Sequence, residues 1–186
     1  MATFYLVRHG QPVYDGLYEK GFWGFGRDFA PLSAEGVRQA EEASRDGRLK
    51  DAQIIVSSPY TRALQTAQII SKNTGIDVTV ELDLHEWIPD LTNRYTTSEE
   101  SFALAEDFTK HRGAWPEGEK RRWEPLDAMR KRMRGVADKY AGYDKVIFVG
   151  HGMAFRTLAY IEKMPPAGIV ECKYEPGQPD CEYSFC

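Results

Sequence analysis

The amino-acid sequence predicts an α/β fold: a single domain of three layers, α/β/α, with helices on both faces of a mainly parallel sheet. Short apolar runs typical of strands alternate with longer stretches of helical spacing, which is the pattern of parallel sheets with crossover helices. The chain has 186 residues, enough for one domain with a substantial core and few for two. No repeat, linker or low-complexity tract interrupts it, so residues 1–186 are predicted to form one domain.

Four segments have the composition of strands. In the first, Phe4–Val7, apolar residues follow one another without alternation, which predicts a strand buried on both faces. The other three are Gln53–Ser58, Asp77–Leu84 and Asp144–Gly150. The segment Asp77–Leu84 alternates strictly between apolar and polar residues, and the same alternation directs His85 and Glu86 to opposite faces.

Five segments have the spacing of helices, and the one after the second strand is the best defined. There, Ser58 is suited to be the N-cap, Pro59 suits the first helical position, and an apolar stripe begins at Ala63. Arg62 then lies in the first turn or just beyond it. The predicted helices are Ser33–Leu49, Pro59–Asn73, Ser98–His111, Pro125–Tyr140 and Met153–Lys163.

Composition excludes several classes of protein. Hydrophobic residues make up 42% and charged residues 28%, as in an average globular protein, and no apolar stretch is long enough to span a membrane. The net charge of −4 argues against a broad nucleic-acid-binding surface. The amino terminus has no features of a secretory signal, so a cytoplasmic location is expected. The cysteines Cys172, Cys181 and Cys186 match no zinc or redox spacing and are interpreted as ordinary thiols.

Five candidate site residues follow predicted strands. Arg8 and His9 end the first strand, and His151 ends the last. Arg62 and Glu86 come after the second and third strands. Each of them alone is more typical of a turn or of a solvated surface. Because ligands of open parallel sheets bind at the carboxyl ends of the strands, we expect these five side chains to converge there.

These residue types suit phosphoryl transfer. Guanidinium groups bind phosphate oxygens in pairs, and a neutral imidazole has a nitrogen lone pair that can attack phosphorus. His9 is therefore interpreted as the nucleophile, with Arg8, Arg62 and, if it is protonated, His151 holding the phosphoryl oxygens. Glu86 is interpreted as the acid that protonates the departing oxygen and later, as a carboxylate, activates water. The glycine after His9 is interpreted as leaving room for the phosphoryl group.

The sequence resembles the histidine phosphatase superfamily, in the branch that contains cofactor-dependent phosphoglycerate mutases and related small phosphatases. Four motifs carry the resemblance, in family order: LVRHG, APLSAEGVRQA, VSSPYTRALQTA and VGHGMAFRTL. The match runs from Thr3 to about Leu158. It implies a phosphoglycerate mutase-like fold and chemistry without a metal ion, and no other cofactor is predicted.

The resemblance also implies roles for the five candidates. His9 is then the phosphorylated nucleophile, Arg8, Arg62 and His151 form the phosphate pocket, and Glu86 donates the proton. The sequence departs from the family after LVRHG, where Gln11-Pro12 and Asp15 stand in place of the usual residues. Gln11 can donate a hydrogen bond and is a candidate substrate ligand, whereas Asp15 is anionic and receives no role.

The resemblance covers both mutases and phosphatases, and we predict a phosphatase that acts on a small phosphomonoester. A mutase must exclude water from the phosphohistidine, which calls for a covering segment, and the family's mutases carry an insertion between the positions of Glu86 and His151 that this chain lacks. Mutase-type phosphoryl transfer is the alternative. In that case the pair Arg121-Arg122 would hold a substrate carboxylate, although such a charge run is more often a solvated face.

Two further alternatives come from other classes of protein. His9, His151 and Glu86 would suit a metal site, but Arg8 and Arg62 would crowd the metal with positive charge. The chain would otherwise be a phosphate-recognition module without catalysis. The expected partner is a phosphorylated small molecule, with no nucleic acid and no membrane. Its identity, the oligomeric state and the role of Arg94 stay open, and so does whether segments 21–29 and 87–97 wall the pocket or pack on the sheet.

Overall fold

A computed structural model describes residues 1–185 and shows a five-stranded sheet. The strands are β1 (Ala2–Arg8), β2 (Ile54–Ser57), β3 (Val78–Val80), β4 (Lys145–Gly150) and β5 (Ile169–Tyr174). Their order across the sheet is β3-β2-β4-β1-β5. The first four are parallel, and β5 is antiparallel to β1. The predicted α/β fold with a mainly parallel sheet is confirmed.

The two faces of the sheet support two separate cores. Consecutive residues of β1 point to opposite faces, so that Phe4 and Leu6 lie in the larger core and Tyr5 and Val7 in the smaller one. This arrangement agrees with the prediction that the first strand is buried on both faces. Because β1 is paired with β4 on one side and with β5 on the other, its backbone is fixed where the last residues reach the carboxyl edge of the sheet.

Five helices cover the sheet: α1 (Ala34–Ala43), α2 (Thr61–Thr74), α3 (Ser98–Lys110), α4 (Leu126–Tyr140) and α5 (Gly152–Phe155). Apolar residues of α3, α4 and α5 fill the larger core, whereas α2 supplies those of the smaller core and packs against α1. Helices on both faces make the predicted three layers. Within residues 1–185, no helix has the length and apolar character to cross a bilayer.

Three predicted elements are shorter than expected. The helix from Ser33 has its predicted cap, because the Ser33 hydroxyl accepts a hydrogen bond from Gly36 N at 3.0 Å, but it ends at Ala43. The third strand ends at Val80, after which residues Leu82–Leu84 form a 3-10 helix. The last helix ends at Phe155, after which Thr157 N and Leu158 N donate to carbonyls three residues back, at 3.1 and 3.0 Å, and the chain forms a turn.

The start of α2 also differs from the prediction. The helix begins at Thr61 with Tyr60 in the cap position, and not at Pro59 with Ser58 as its cap. The Ser58 hydroxyl is within 2.8 Å of the His151 ring instead. Arg62 nevertheless lies in the first turn, as predicted. A residue that looks like a helix cap is therefore part of the site described below.

The antiparallel strand β5 is missing from the sequence prediction. Its burial alternates only over residues 171–174, where Glu171 and Lys173 are exposed and Cys172 and Tyr174 are buried. The strand closes the sheet beside β1. Cys172 and Cys181 are free thiols, as expected, and the third cysteine, Cys186, lies outside the described residues.

Candidate active site

The five predicted side chains meet at the carboxyl edge of the sheet. Arg8 pairs with Gly150 in the register of β1 and β4, so the histidines that follow these two residues are neighbours, and their ring centroids are 5.1 Å apart. Beside them lies a cavity of about 820 Å³, whose lining includes four of the five: Arg8, His9, Arg62 and Glu86. The fifth, His151, is fully buried behind His9.

His9 has one ring nitrogen committed to the backbone. Nδ1 lies 2.7 Å from the carbonyl oxygen of Gly10, which assigns the proton to Nδ1, and Nε2 accepts a hydrogen bond from Arg62 Nε at 3.2 Å. Burial, together with the positive charges of Arg62 and Arg8, lowers the pKa of His9 to about 3, against a raising effect of the bond to Gly10. The imidazole is neutral near pH 7, with its lone pair on Nε2.

His151 is held by the serine that precedes α2. Ser58 Oγ accepts a hydrogen bond from Tyr60 N at 3.3 Å, so its own proton is available to His151 Nε2 at 2.8 Å. With Ser58 as the donor, we assign the proton of neutral His151 to Nδ1, a buried atom without a hydrogen-bond partner. Burial first, and then the charge of Arg62, hold the pKa of His151 well below its usual value. Without a bound anion His151 is therefore neutral, and the protonation on which the sequence made its role depend is not present in the free protein.

The two arginines are only partly satisfied. Arg62 is 5% exposed, and its Nη1 has no hydrogen bond and lies 3.8 Å from Oδ1 of Asp28. Arg8 donates from Nη1 to the carbonyl of Met164 at 2.5 Å, whereas its buried Nε has no partner. Buried donors without acceptors are costly and call for an explanation. A tetrahedral anion beside His9 would give them acceptors.

Glu86 is fixed to the backbone around it. Oε1 accepts hydrogen bonds from Trp87 N at 2.9 Å and from Ala154 N at 3.0 Å, and Oε2 accepts one from Met153 N at 3.3 Å. The carboxylate thereby connects the loop that follows β3 to the first residues of α5, just after His151. It lines the cavity at a fixed position.

A second carboxyl group, Asp28, lines the same cavity and was not predicted. It lies in a 3-10 helix, Gly24–Phe29, within the segment 21–29 whose role stayed open. Burial raises the pKa of Asp28 to about 6, although Arg62 and a hydrogen bond from Tyr60 act in the opposite direction. No periodicity or spacing in the sequence could have located this residue, because its position depends on the packing of the loop.

His85 is a further correction. Strand alternation directs it away from Glu86, but the strand gives way to a 3-10 helix and both side chains line the cavity. The two segments whose role stayed open wall this cavity: Phe25 and Phe29 come from one, and Trp87 and Tyr95 from the other. They are joined by a hydrogen bond from the Tyr95 hydroxyl to the carbonyl of Gly24, at 2.8 Å.

The structure does not bring Gln11 to the cavity. Its side-chain oxygen accepts a hydrogen bond from the Ser33 hydroxyl at 3.1 Å, and the residue is exposed outside the lining. Asp15 and Arg94 are also exposed and outside the lining. The prediction that Gln11 binds substrate therefore has no support from its position.

A close backbone contact explains why a glycine follows His9. A Cβ built on Gly10 would lie 2.4 Å from the carbonyl oxygen of Gly36 in α1, and one built on Gly36 would lie 2.1 Å from the carbonyl oxygen of Gln11. Close backbone packing next to the nucleophile therefore requires a glycine at this position.

The arginine pair before α4 does not contribute to the site either. Arg122 pairs with Asp90 at 2.5 Å and with Glu100 at 2.8 Å, and Arg121 pairs with Glu119 at 3.0 Å. Neither arginine lines the cavity. Among residues 1–185, no three His, Cys, Asp or Glu side chains are grouped so as to hold a metal ion, so the alternative of a metal site at His9, His151 and Glu86 has no geometric support.

Comparison with known proteins agrees with this geometry. The chain is 33% identical over 161 residues to the uncharacterized phosphatase PhoE of Bacillus subtilis, an alignment that covers 85% of this chain and 76% of that protein. It is 30% identical over 166 residues to the probable phosphoglycerate mutase GpmB of Yersinia enterocolitica, covering 85% and 73%. The relatives thus include both a phosphatase and a mutase by name.

Solved structures show the same fold. Bacillus stearothermophilus YhfR superposes with a TM-score of 0.71 at 21% identity, covering 95% of this chain and 93% of that one. A mycobacterial glucosyl-3-phosphoglycerate phosphatase superposes with a TM-score of 0.70 at 22% identity, covering 91% and 89%. Residues 4–178 match the model of the histidine phosphatase superfamily, branch 1. The chain therefore belongs to the histidine phosphatase superfamily, and its phosphatase relatives support a phosphatase enzyme.

Proposed function

We propose that this protein hydrolyses small phosphomonoesters through a phosphohistidine at His9, without a metal ion. The observation that carries the proposal is a set of three buried nitrogens without partners around His9: Arg8 Nε, Arg62 Nη1 and His151 Nδ1. Three donors that lack a hydrogen-bond acceptor suit the non-bridging oxygens of a phosphoryl group. The nitrogen that would attack phosphorus, His9 Nε2, is in the same place and unprotonated.

In the first half of the reaction, the lone pair of His9 Nε2 forms a bond to phosphorus while the bond from phosphorus to the leaving-group oxygen breaks. Arg62 Nε, which donates to Nε2 in the free protein at 3.2 Å, transfers its hydrogen bond to a phosphoryl oxygen. His151 Nδ1 supplies another donor, and the dianion offsets the burial that keeps the ring neutral. The departing oxygen takes a proton from a carboxyl group of the pocket.

Glu86 is the carboxyl group to which the sequence assigns that proton, and its place in the cavity wall supports the assignment. In the second half, the carboxylate takes a proton from a water molecule that attacks phosphorus, the bond to Nε2 breaks, and inorganic phosphate leaves. His9 returns to its neutral form. Both halves use the same groups, so the cycle closes without a co-reactant other than water.

Hydrolysis is favoured over mutase transfer by the surroundings of the phosphohistidine. The rim of the cavity is exposed, with Phe25 and Phe102 both more than half accessible, so water reaches the site. A mutase would also need a holder for the substrate carboxylate, and Arg121 and Arg122 are committed to acidic partners elsewhere. Mutase-type transfer remains the second candidate because relatives carry that name.

The decisive experiment is turnover of 4-nitrophenyl phosphate in metal-chelated buffer by the wild type and by His9→Ala. We expect loss of turnover in His9→Ala, and an alkali-stable, acid-labile phosphoprotein after rapid quenching of the wild type only. His111→Ala is the matched control, because His111 pairs with Asp107 away from the cavity. Undiminished activity of His9→Ala, or strict dependence on added metal, would overturn the proposal. Faster isomerisation of a phosphoglycerate than its hydrolysis would favour the mutase.

A further inference from the structure

The rim of the cavity is made of large apolar side chains that are open to solvent. Leu82 is 71% exposed, Phe102 62%, Phe25 58% and Phe29 53%, and all four line the cavity. Single exposed apolar residues are ordinary on a protein surface, but a cluster around one opening marks a surface that binds apolar ligands.

The apolar character of the cavity is not confined to its rim. The lining also includes the aromatic and aliphatic side chains of Tyr14, Trp87, Ile88, Pro89, Tyr95 and Ala105. At the far end the ring of Tyr60 lies 4.9 Å from the guanidinium of Arg62, so one surface joins the apolar wall to the phosphate donors. A molecule bound with its phosphoryl group at His9 therefore has its leaving group among apolar side chains.

Besides Arg8 and Arg62, the charged groups of the cavity lining are one cation, Arg27, and three carboxyl groups, Asp28, Asp83 and Glu86. Three arginines line the cavity, and Arg8 and Arg62 belong to the phosphate end. The third, Arg27, lies 4.5 Å from the ring centroid of Tyr14 and acts on the neighbouring carboxyl of Asp28. The remaining charged groups of the lining are acidic, and they disfavour a carboxylate or a second phosphate on the leaving group.

From this arrangement we infer that the substrate is a phosphomonoester with a bulky apolar leaving group, aromatic or long aliphatic, that carries no second anionic group. The inference rests on the proposed function, since it names the substrate class for the same site. It excludes a phosphoglycerate as a good substrate. The cavity volume of about 820 Å³ is within the range of cavities that enclose a drug-sized molecule, so the leaving group can be a whole small molecule.

The test compares substrate pairs whose leaving groups have the same acidity and differ only in apolar size. Suitable pairs are phenyl and 2-naphthyl phosphate, and propyl and 3-phenylpropyl phosphate, with 3-phosphoglycerate as the anionic comparison. We expect kcat/KM to favour the larger member of each pair by about tenfold, as burial of an additional ring predicts. We expect 3-phosphoglycerate to be the poorest substrate of the set.

Variants of the rim separate this preference from general activity. Leu82→Ser and Phe102→Ser should each lower the large-to-small ratio several-fold, because they remove apolar contact area that the larger ester would bury. Leu91→Ser is the matched control, because Leu91 is 45% exposed and lies outside the lining. It should keep the wild-type ratio.

The outcomes distinguish this inference from the proposed function. Equal kcat/KM within both pairs, an unchanged ratio in Leu82→Ser and Phe102→Ser, or preferred turnover of 3-phosphoglycerate would overturn the inference while His9-dependent hydrolysis still stands. If the wild type hydrolyses none of these esters, the proposed function fails. Calorimetric binding then tests the substrate class alone: equal affinity for phenyl and 2-naphthyl phosphate would overturn it, and tighter binding of the naphthyl ester would support it.

Discussion

The strand-end part of the site and its loop wall are built in different ways. The strand-end part carries His9 and His151 directly after two paired strands, β1 and β4, whose register fixes their separation. The loop wall consists of residues 24–29 and 87–95, which are joined by a hydrogen bond from Tyr95 to Gly24, and it carries the exposed rings of Phe25 and Phe29. Chemistry that tolerates little displacement is thus placed on the sheet, and contacts that select a substrate are placed on loops.

The largest effect should come from breaking the strand-end part at Arg62. Replacing Arg62 with Gln removes the charge beside His9 and a buried donor to the phosphoryl group, and we expect kcat/KM to fall by about 10²–10³. Removal of that charge should also raise the pKa of His9, which NMR titration of the imidazole would show. Arg121→Gln serves as the control. A loss of less than about threefold in Arg62→Gln would remove Arg62 from the phosphate pocket.

The next effect concerns Asp28, where the loop wall meets the strand-end part. Its pKa is raised to about 6, so ionisation is harder in the folded chain than in the unfolded chain, where the value is about 4. The contribution of protonated Asp28 to the free energy of unfolding is therefore complete below a pH of about 4 and is lost as the pH rises through 6. Arg62 and Tyr60 moderate the rise, and Glu86 adds to it.

The side chain in Asp28→Asn cannot ionise. We therefore expect the free energy of unfolding of this variant, measured relative to that of the wild type, to be higher above pH 7 than at pH 3.5 by about 2–3 kcal/mol. Urea unfolding at the two pH values measures this. Inorganic phosphate should also inhibit Asp28→Asn more strongly at pH 8, because the carboxylate no longer competes for Arg62. A pH-independent stability difference would contradict the raised pKa.

A smaller effect is expected behind the nucleophile, at Ser58. Ser58→Ala leaves His151 Nε2 buried without a partner and should lower the free energy of unfolding by about 1–2 kcal/mol. The loss of ring orientation should lower kcat/KM by about tenfold. The neighbouring Ser57→Ala is the control, because the Ser57 hydroxyl donates to the carbonyl of Ser58 and does not reach His151. Equal activity of the two variants would show that His151 does not need the serine.

The smallest effect is expected at Gln11, which the sequence placed in the substrate site and the structure places against Ser33. Gln11→Ala removes one exposed hydrogen bond, so we expect kcat/KM to change less than about twofold and stability by less than about 0.5 kcal/mol. Steady-state kinetics and urea unfolding measure both. A large rise of KM would return Gln11 to the substrate site.

The strand-end part was predictable because local sequence determines it. An unbroken apolar run ending in Arg8 and His9 marks a buried strand and its exit, and the same pattern precedes His151. The predicted start of α2 was wrong because the Ser58 hydroxyl has two possible hydrogen-bond partners, the first turn of the helix and the His151 ring. Only the fold shows that it bonds to the ring. Short-range patterns cannot resolve such a competition.

The loop wall was not predictable for a related reason. Asp28 reaches Arg62 because residues distant in sequence, such as Tyr95, hold its loop in place. The expected orientation of His85 failed because it assumed that a strand continues where a 3-10 helix begins. The strand β5 was missed because only a short stretch of it alternates in burial. For the loop of Asp28 and for β5, contacts with residues distant in sequence determine the local conformation.

The contact between Gly10 and Gly36 has a consequence for how this enzyme can diverge. Neither glycine has space for a methyl group, because each would meet a backbone carbonyl within 2.4 Å. No single substitution at either position can be relieved by side-chain movement, since the obstacle is main chain. During sequence drift the aromatic wall is free to change its residues one at a time, and with them the compounds accepted. The path of the chain beside His9 permits no such stepwise change, so new activities in this lineage should arise at the rim while the attacking nitrogen stays where it is.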